Sequence, residues 1–210
     1  MKVLVLGATG QVGRNVLQQA LDDDRIEQVI APTRRALPAH PKLVNPVAND
    51  LRQTLPDVAR RSIDAMICAM GTTIAKAGSK QAFRQVDYVL PIKFAEIALA
   101  QGAQACAVVS SPGASLTIPL FYCRTKGELE RDIQGIGFRS LTIIRPGMIG
   151  GSREEFRLAE RVILPIAALL QPILPRGLWI NPPGNIARVL IDGVLSGAPG
   201  TQMLTSKDLV

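Results

Sequence analysis

Short runs of valine, isoleucine and leucine alternate along the chain with longer segments whose apolar residues recur every three or four positions. The apolar runs predict strands that begin at Lys2, Gln28, Lys42, Asp64, Ala105 and Ser140, with a further candidate at Thr201. The longer segments predict helices over 11–22, 51–61, 79–101, 118–133, 154–170 and 184–195. Nearly continuous apolar strands separated by helices are typical of a parallel sheet covered on both faces. We therefore predict an α/β fold with a doubly wound parallel sheet, whose ligand crevice lies at the carboxyl ends of the strands.

The length and the even composition predict a single domain over 1–210, because 210 residues of which 47% are hydrophobic suffice for one substantial core. After residue 150 the pattern loosens and proline becomes frequent, which predicts a small C-terminal cap on the substrate side of the crevice. The apolar stretch over 162–179 in this cap suggests a hydrophobic substrate, although a dimer contact or ordinary core explains it as well. Prolines interrupt this stretch, so we expect no transmembrane segment.

A glycine-rich turn joins the first predicted strand to the first predicted helix, with Gly7, Gly10 and Gly13 in the stretch LGATGQVGR. Glycines allow a sharp turn, a close approach of the backbone to a pyrophosphate, and free N–H groups at the amino terminus of the helix. The spacing Gly-x-x-Gly-x-x-Gly differs from the more usual Gly-x-Gly-x-x-Gly and indicates a particular branch of dinucleotide binders. We predict that the phosphate site is formed by Gly7, Ala8, Thr9, Gly10, Gln11, Val12 and Gly13.

The second predicted strand ends in the stretch IAPTRRAL, which has two consecutive arginines, Arg34 and Arg35, and no acidic residue. An NAD site usually has a carboxylate here that binds the ribose 2′-hydroxyl, and a carboxylate would repel a 2′-phosphate. Guanidinium groups instead hold phosphate through charge-assisted hydrogen bonds that are often bidentate. The sequence therefore predicts NADP(H) as cofactor rather than NAD(H), with an ordinary solvated basic loop as the alternative.

The formal net charge of +7 is spread along the chain among acidic residues, without an arginine-rich run or a metal finger. We therefore expect no nucleic-acid partner, and the charge fits a protein that attracts phosphorylated small molecules. The three cysteines have no paired spacing and the single histidine, His40, lies in a proline-flanked loop, so we expect no metal site. The first apolar run is too short for a signal peptide, so we expect a cytoplasmic protein with reduced thiols.

Six motifs stand in a shared order along the chain: LGATGQVGR, the Arg34–Arg35 pair, CAMGTTIAKAGSKQAFRQVDY, VVSSPGAS, YCRTKGELE and IIRPGMIGG. In this order the chain resembles the short-chain dehydrogenase/reductase superfamily. More narrowly, it resembles the atypical branch of small NAD(P)-binding proteins related to the Tat-interacting oxidoreductase-like protein. The resemblance covers most of the chain and implies a Rossmann-like fold that binds NAD(P).

The resemblance implies that Tyr122 and Lys126 are the tyrosine and lysine of the superfamily's active site. Residues four positions apart lie on one face of a helix, so both side chains would point into the crevice. The Lys126 ammonium would favour the tyrosinate form and bond the nicotinamide ribose. In the direction of reduction, Tyr122 would protonate a carbonyl oxygen as hydride arrives from the cofactor.

The same resemblance implies further cofactor contacts. Met70 and Gly71 would pass close to the adenosine ribose and the diphosphate, and Ile149 would contact the nicotinamide end through its backbone. Arg157 matches a basic residue near the site. Asp50 would bond the adenine amino group, although a carboxylate that caps a helix explains this aspartate equally well.

The third participant in the superfamily's site is a serine near the end of the fifth strand, for which the chain offers Ser110, Ser111 and Ser115. We expect Ser111 to face the crevice, with a bond to loop backbone as the alternative. Asp87 departs from the pattern because many relatives have asparagine there. A structural role in the helix is compatible with this aspartate, whereas a proton-relay role is not supported.

Two functions of different class remain open at this point. The first is an NADP(H)-dependent oxidoreductase that reduces a small, hydrophobic carbonyl substrate, and the second is a regulatory or sensor protein that binds NADP(H) with little or no turnover. The fold alone does not choose between them. A membrane-surface or quinone-directed activity is also compatible with the basic charge and the apolar stretch. Helices of the kind predicted over 79–101 and 118–133 pair across dimers in many relatives, so the resemblance also suggests a homodimer.

Overall fold

The computed structural model describes residues 1–150 and 180–209. Strands β1 to β5 span Lys2–Leu6, Gln28–Ile30, Leu43–Val44, Ala65–Cys68 and Ala105–Val109, and strands β6 to β9 span Ser140–Arg145, Met148–Ile149, Ile180–Asn181 and Gly200–Thr205. Helices α1 to α7 span Gln11–Asp22, Leu55–Val58, Ile74–Ala77, Lys80–Arg84, Leu90–Ala100, Phe121–Ile136 and Pro183–Ser196. Short 3₁₀ helices cover Leu51–Thr54 and Ser206–Asp208, and a π-helical turn covers Gln85–Val89.

Among the described residues, seven strands form one sheet in the order β3-β2-β1-β4-β5-β6-β9, and all their pairings are parallel. The chain starts in the middle of the sheet, winds outward through β2 and β3, and then crosses to β4 on the other side of β1. The winding therefore reverses between β1 and β4. This confirms the predicted α/β fold with a doubly wound parallel sheet, and the ligand crevice of such folds lies at this point of reversal.

The alternation of side chains along the strands produces two separate apolar layers. Val3 and Val5 of β1 pack against α1 and α7, whereas Leu4 and Leu6 pack against α5 and α6 on the opposite face. All four side chains are fully buried. Because both faces are covered, the central strands are apolar throughout, which explains why their sequences show continuous rather than alternating hydrophobicity.

The helix predicted over 79–101 is interrupted in the structure. It consists of α4, the π-helical turn Gln85–Val89 and α5, which has Pro91 in its first turn. Proline has no N–H to bond the carbonyl of Asp87 four residues earlier, so regular α-helical hydrogen bonding is lost at this turn. The interruption places Asp87, a charged residue within an apolar segment, in the buried interior.

The other predicted helices differ from the structure at their ends. The segment predicted over 51–61 divides into the 3₁₀ helix Leu51–Thr54 and α2, and α6 begins at Phe121 rather than at 118 because Pro119 precedes its first turn. The predicted helix over 154–170, the cap and Arg157 lie outside the described residues. No helix in the described part of the chain has both the length and the apolar character needed to cross a membrane.

Candidate nucleotide site

The glycine turn between β1 and α1 is tightly packed against the start of the chain segment that follows β4. Gly7 has φ +81°, and a Cβ atom placed on it would lie 2.7 Å from the carbonyl carbon of Ala69. A Cβ atom on Gly13 would lie 1.9 Å from the Gly7 carbonyl oxygen. Side chains at these two positions would therefore push α1 away from β1 and β4, so the glycines permit the close packing that forms the turn.

The amino terminus of α1 lies at the carboxyl edge of the sheet and lacks a side-chain cap. Gly10 is the N-cap residue, and it has no side chain that could cap the helix. Thr9 and Gly10 are exposed, whereas the side chains of Ala8 and Val12 are buried in the apolar layer. Ala8 and Val12 therefore offer only backbone atoms to a ligand. The amino terminus of α1, whose N-cap residue has no side chain, is an environment that favours an anion.

The predicted arginine pair lies just beyond the end of β2. Because β2 is the neighbour of β1 in the sheet, this position is next to the glycine turn that follows β1. Arg34 and Arg35 are exposed, and neither guanidinium group has a hydrogen bond or an ion pair with another described residue, although the Arg35 carbonyl accepts from the Thr33 hydroxyl at 2.6 Å. The loop that carries them is held by Asn45, which donates to the Ala31 carbonyl at 2.6 Å and to the Thr33 hydroxyl at 2.8 Å. The loop backbone is thus fixed while both guanidinium groups remain available for an anion.

Asp50 has a local structural role in the described chain. It is the N-cap of the 3₁₀ helix Leu51–Thr54, where its Oδ1 accepts from the Arg52 backbone N–H at 3.0 Å. Its Oδ2 accepts from the Arg52 guanidinium Nε at 2.7 Å, and this side-chain bond holds the pKa of Asp50 below its usual value. The geometry corresponds to the capping alternative, and the bond to adenine stays a prediction.

A buried ion pair lies at the carboxyl end of β4, next to Gly71. The Lys126 Nζ is 2.8 Å from the Asp87 Oδ1, and the two side chains are 4% and 1% exposed. The other oxygen of Asp87 accepts from the Thr72 backbone N–H at 2.8 Å. A Cβ atom on the exposed Gly71 would lie 3.4 Å from the Asp87 Oδ1 and 4.0 Å from the Lys126 Nζ. The pair therefore borders the same edge of the sheet as the glycine turn.

The pair arises because two helical segments run side by side in a fixed register. Phe83 packs on Tyr122 with ring centroids 5.5 Å apart, Asp87 contacts Lys126 one turn later, and the Tyr88 hydroxyl donates to Asp132 at 2.6 Å. This register places Tyr122 and Lys126 on the face of α6 that meets α4 and the π-helical turn. Tyr122 is 37% exposed, and its hydroxyl has no hydrogen-bond partner within residues 1–150 and 180–209.

Burial sets the protonation behaviour of the groups around this pair. Desolvation raises the pKa of Asp87, and the Lys126 ammonium partly offsets that rise by favouring the carboxylate. Desolvation also raises the pKa of the Cys68 thiol to about 11, so this neighbouring group is uncharged near neutral pH. Lys126 and Asp87 are therefore the ionisable pair that a ligand would meet at the end of β4.

The serines after β5 differ in their surroundings. Ser110 and Ser111 are both buried, and the Ser110 hydroxyl has no hydrogen-bond partner among the described residues. The Ser111 carbonyl accepts from the Ala114 backbone N–H at 3.0 Å. Ser115 is bonded within its own loop, where its hydroxyl lies 3.1 Å from that of Thr117. Ser110 is thus a second candidate beside the predicted Ser111, and neither hydroxyl bonds Tyr122 in the described structure.

Met70 follows β4, and Ile149 lies in the short two-stranded sheet formed by β7 and β8. The side chain of Met70 is buried, and its backbone nitrogen would lie 2.8 Å from a Cβ atom on Gly7. Ile149 lies in β7, and the next residue is tied to α1 because the Gln11 amide donates to the Gly150 carbonyl at 2.5 Å. Their contacts with a nucleotide stay predictions, and Arg157 lies outside the described residues.

The sequence model of the HIM1 family matches residues 41–171 of this chain. The chain belongs to the HIM1 family. Its relatives include the proteins named FMP52, mitochondrial, from two fungi. The protein from Eremothecium gossypii is 34% identical over 154 residues, which cover 73% of this chain and 69% of the relative. The protein from Aspergillus clavatus is 31% identical and covers 99% of this chain and 96% of the relative, so this likeness includes the glycine turn.

Solved structures show that this HIM1-family chain has the fold of short-chain dehydrogenases. A short-chain dehydrogenase family protein from Francisella tularensis has a TM-score of 0.72, with 15% identity, 99% coverage of this chain and 98% of the other. MoeE5 in complex with UDP-glucose and NAD has a TM-score of 0.74, with 19% identity, 97% coverage of this chain and 75% of the other. The coarse resemblance to this superfamily is thereby confirmed for the fold.

The expectation of a cytoplasmic protein is contradicted by the names of the relatives, which are mitochondrial proteins. The expectation rested on thiols without pairing partners and on a first apolar run too short for a signal peptide. These features do not distinguish one reducing compartment from another, so they were not sufficient for the conclusion.

Two features of the candidate nucleotide site and its surroundings were not predicted from the sequence. The first is the contact between Asp87 and Lys126, whose only sequence signal is an acidic residue within the apolar stretch QVDYVL. The second is Asn181, which is fully buried and joins distant segments. Its amide accepts from the Gly147 N–H at 2.7 Å and donates to the Ser206 carbonyl at 2.9 Å. A buried asparagine after a proline-rich region gives no sequence signal for such partners.

Proposed function

We propose that this HIM1-family protein is an NADP(H)-binding oxidoreductase of the short-chain type that reduces a small carbonyl substrate. The observation that carries the proposal is the coincidence, at one edge of the sheet, of the glycine turn and the Lys126–Asp87 pair. The backbone between β4 and Gly71 connects the two, since Gly7 packs on Ala69 and Gly71 packs on the pair. The fit to a dinucleotide rests on the helix end at Gly10, where the nearest described atom to an added Cβ is the Gly7 carbonyl oxygen at 3.2 Å, so the backbone there is open to a ligand.

The nucleotide would lie across the switch point between β1 and β4. The uncapped end of α1 would receive its diphosphate, with Gly10 allowing a close approach of the backbone. Arg34 and Arg35 would bind the 2′-phosphate, because both guanidinium groups are exposed and lack partners in the described chain. This arrangement supports NADP(H) over NAD(H), even though the solved complex of MoeE5 contains NAD.

The chemistry at the other end of the nucleotide would use Tyr122 and Lys126. Bound NADPH would supply the hydride. The Tyr122 hydroxyl, which has no partner in the described structure, would donate its proton to the substrate carbonyl oxygen. The Lys126 ammonium has three N–H donors, and Asp87 accepts on one side of it. A remaining N–H would also bond the nicotinamide ribose. Ser111, or Ser110 with its unpartnered hydroxyl, would bond the same substrate oxygen.

The test is substrate-dependent oxidation of NADPH by the wild type and by Tyr122→Phe over a panel of small aldehydes and ketones. Tyr122→Phe removes the proton donor and keeps the ring that packs on Phe83. We expect a loss in kcat/KM on the order of 100-fold or more with unchanged NADPH affinity. Tyr88→Phe is the matched control, because Tyr88 bonds Asp132 on the outer side of the helices and should keep its activity. Equal rates in wild type and Tyr122→Phe would reject the catalytic assignment.

A cofactor-binding regulator with little turnover is the second candidate. It is favoured by the absence of a hydrogen bond between Tyr122 and either serine in the described residues, since short-chain enzymes use the two hydroxyls together. Negligible NADPH oxidation by the wild type over the whole panel, combined with tight NADPH binding, would support the regulator and contradict the enzyme.

We further propose that the protein works in mitochondria and that its substrate is a small molecule. The first statement follows the names of the fungal relatives, and the second follows MoeE5, whose complex contains UDP-glucose. A closer relationship to the branch of the Tat-interacting oxidoreductase-like protein, and a homodimer formed through α5 and α6, belong to the same proposal. Fractionation of cells that express the tagged protein tests the mitochondrial location. Light scattering of the purified protein tests the homodimer.

A further inference from the structure

The Lys126–Asp87 pair has a charge balance that bears on the redox state of the nucleotide. Both side chains are almost fully buried, and the contact between Nζ and Oδ1 is 2.8 Å. Asp87 is held on its other side by the Thr72 backbone N–H at 2.8 Å, so the carboxylate cannot swing away without losing that bond. The ammonium and a fixed negative charge thus lie together beneath the exposed Gly71, at the edge of the crevice.

Among the described residues, no further charged group is in contact with the pair. Cys68, which lies within electrostatic reach of both groups, is neutral near pH 7 because burial raises its pKa to about 11. Tyr122, on the same face of α6, packs on the apolar ring of Phe83. Water does not screen the pair effectively, since the exposed fractions are 4% and 1%. The net charge that a ligand meets at this point therefore depends on whether Asp87 is present.

Oxidised and reduced nicotinamide differ in charge at the ring, which is positive in NADP⁺ and neutral in NADPH. A lone buried ammonium would repel the oxidised ring and leave the reduced ring unaffected. We infer that Asp87 sets the redox-state preference of the nucleotide site: its carboxylate balances the Lys126 ammonium and thereby shifts the preference of the site towards NADP⁺. Asp87 acts through Lys126 and is a positioning residue. The inference rests on the proposed function, because it requires the nicotinamide end to lie beside Lys126.

The experiment measures the dissociation constants of NADP⁺ and NADPH for purified protein at about pH 7.5 and compares their ratio. Asp87→Asn leaves the ammonium unbalanced, so Kd(NADP⁺)/Kd(NADPH) should rise on the order of tenfold. Lys126→Met leaves the carboxylate, so the same ratio should fall below the wild-type value. The double variant Asp87→Asn with Lys126→Met removes both charges and should return the ratio to within about threefold of wild type. A merely structural role for Asp87 would weaken both nucleotides equally and leave the ratio unchanged.

Glu130→Gln provides the matched control. Glu130 is a buried carboxylate on the same helix, but its partner Arg145 lies at the end of β6. We expect the ratio to stay at the wild-type value in this variant. The inference is overturned if both single variants bind nucleotide with the wild-type ratio, or if both shift it in the same direction. Failure of the proposed function has a different signature, since the wild type would then bind neither nucleotide, and that result would overturn both proposals.

Discussion

Two buried ion pairs lie one turn apart on α6 and differ in how completely the cation is satisfied. In the outer pair, Arg145 holds Glu130 with two parallel bonds, from Nε to Oε1 at 2.9 Å and from Nη2 to Oε2 at 2.5 Å. In the inner pair, Lys126 has one contact with Asp87. The fork of Arg145 is matched to its carboxylate, whereas Lys126 keeps donors that no described residue uses.

The difference distinguishes a structural pair from a functional one. A bidentate pair fixes β6 to α6 and leaves little capacity for a ligand. A compact ammonium that is anchored on one side can still bind a ligand on the other. The inner pair also borders the exposed Gly71 and the glycine turn, whereas the outer pair lines a groove with Met203 of the edge strand β9.

The largest expected effect comes from removing the cation of each pair. We expect Lys126→Met to lower kcat/KM for NADPH-dependent reduction on the order of 100-fold or more, because it loses the contact to the nucleotide ribose. Arg145→Met should change kcat/KM by less than about threefold, since Glu130 is the partner of the Arg145 guanidinium within the described residues and lies away from the glycine turn. Steady-state kinetics on folded protein measure both. A larger loss in Arg145→Met than in Lys126→Met would reverse the assignment of the two pairs.

Stability separates the pairs next. Lys126→Met leaves the Asp87 carboxyl without its cation in the interior, where this side chain is 1% exposed, so we expect a loss of about 3–5 kcal/mol. Glu130→Gln leaves Arg145 with 24% of its side chain exposed, and water can solvate the guanidinium at a cost of about 1–2 kcal/mol. Urea unfolding monitored by circular dichroism gives both values. Equal losses would mean that exposure of the remaining partner does not decide the cost.

The dependence of stability on pH sharpens the comparison further. Burial raises the pKa of Asp87, so the folded protein binds this proton more tightly than the unfolded chain does. The stability that this group contributes is present below the unfolded value of 3.8 and is lost as pH rises through the raised pKa. The free energy of unfolding of the wild type minus that of Asp87→Asn should therefore decrease as pH rises from about 4. An increase over this window would contradict the dominance of desolvation at Asp87.

The smallest effect is expected at an exposed pair. Arg60 and Asp57 lie 3.7 Å apart with side chains 79% and 57% exposed. Asp57→Asn should change the free energy of unfolding by less than about 0.5 kcal/mol, because water screens such pairs and already solvates both charges. The same urea titration measures it. A loss as large as that of Glu130→Gln would show that pairing rather than burial determines the energies of the inner and the outer pair.

The sequence predicts the fold well because burial on both faces makes each central strand a continuous apolar run. The glycine turn is predictable for a related reason, since Gly7 and Gly13 are required by backbone packing that any side chain would disrupt. The segment over 79–101 shows where the prediction fails. A helical period continues through Pro91, and nothing in the period reveals the π-helical turn that brings Asp87 inward.

The candidate site is only partly predictable because its decisive contacts join distant parts of the chain. Tyr122 and Lys126 are recognised by their spacing on one helix, but Asp87 reaches Lys126 only through the register of two neighbouring helical segments. Asp50 illustrates the opposite case. Its alternatives were evident from the sequence, and the geometry of Arg52 corresponds to the local one.

The most direct measurement is a calorimetric titration of the purified wild-type protein with NADPH and, separately, with NADH. The account predicts one NADPH per chain and an affinity for NADPH that exceeds that for NADH on the order of tenfold or more, through Arg34 and Arg35. It also predicts that Gly10→Ala stays folded and binds NADPH more weakly, because among the described atoms its added Cβ would meet only the Gly7 carbonyl oxygen, at 3.2 Å. If neither nucleotide produces heat of binding under conditions where the protein is folded, the proposed site at the junction of β1 and α1 is wrong.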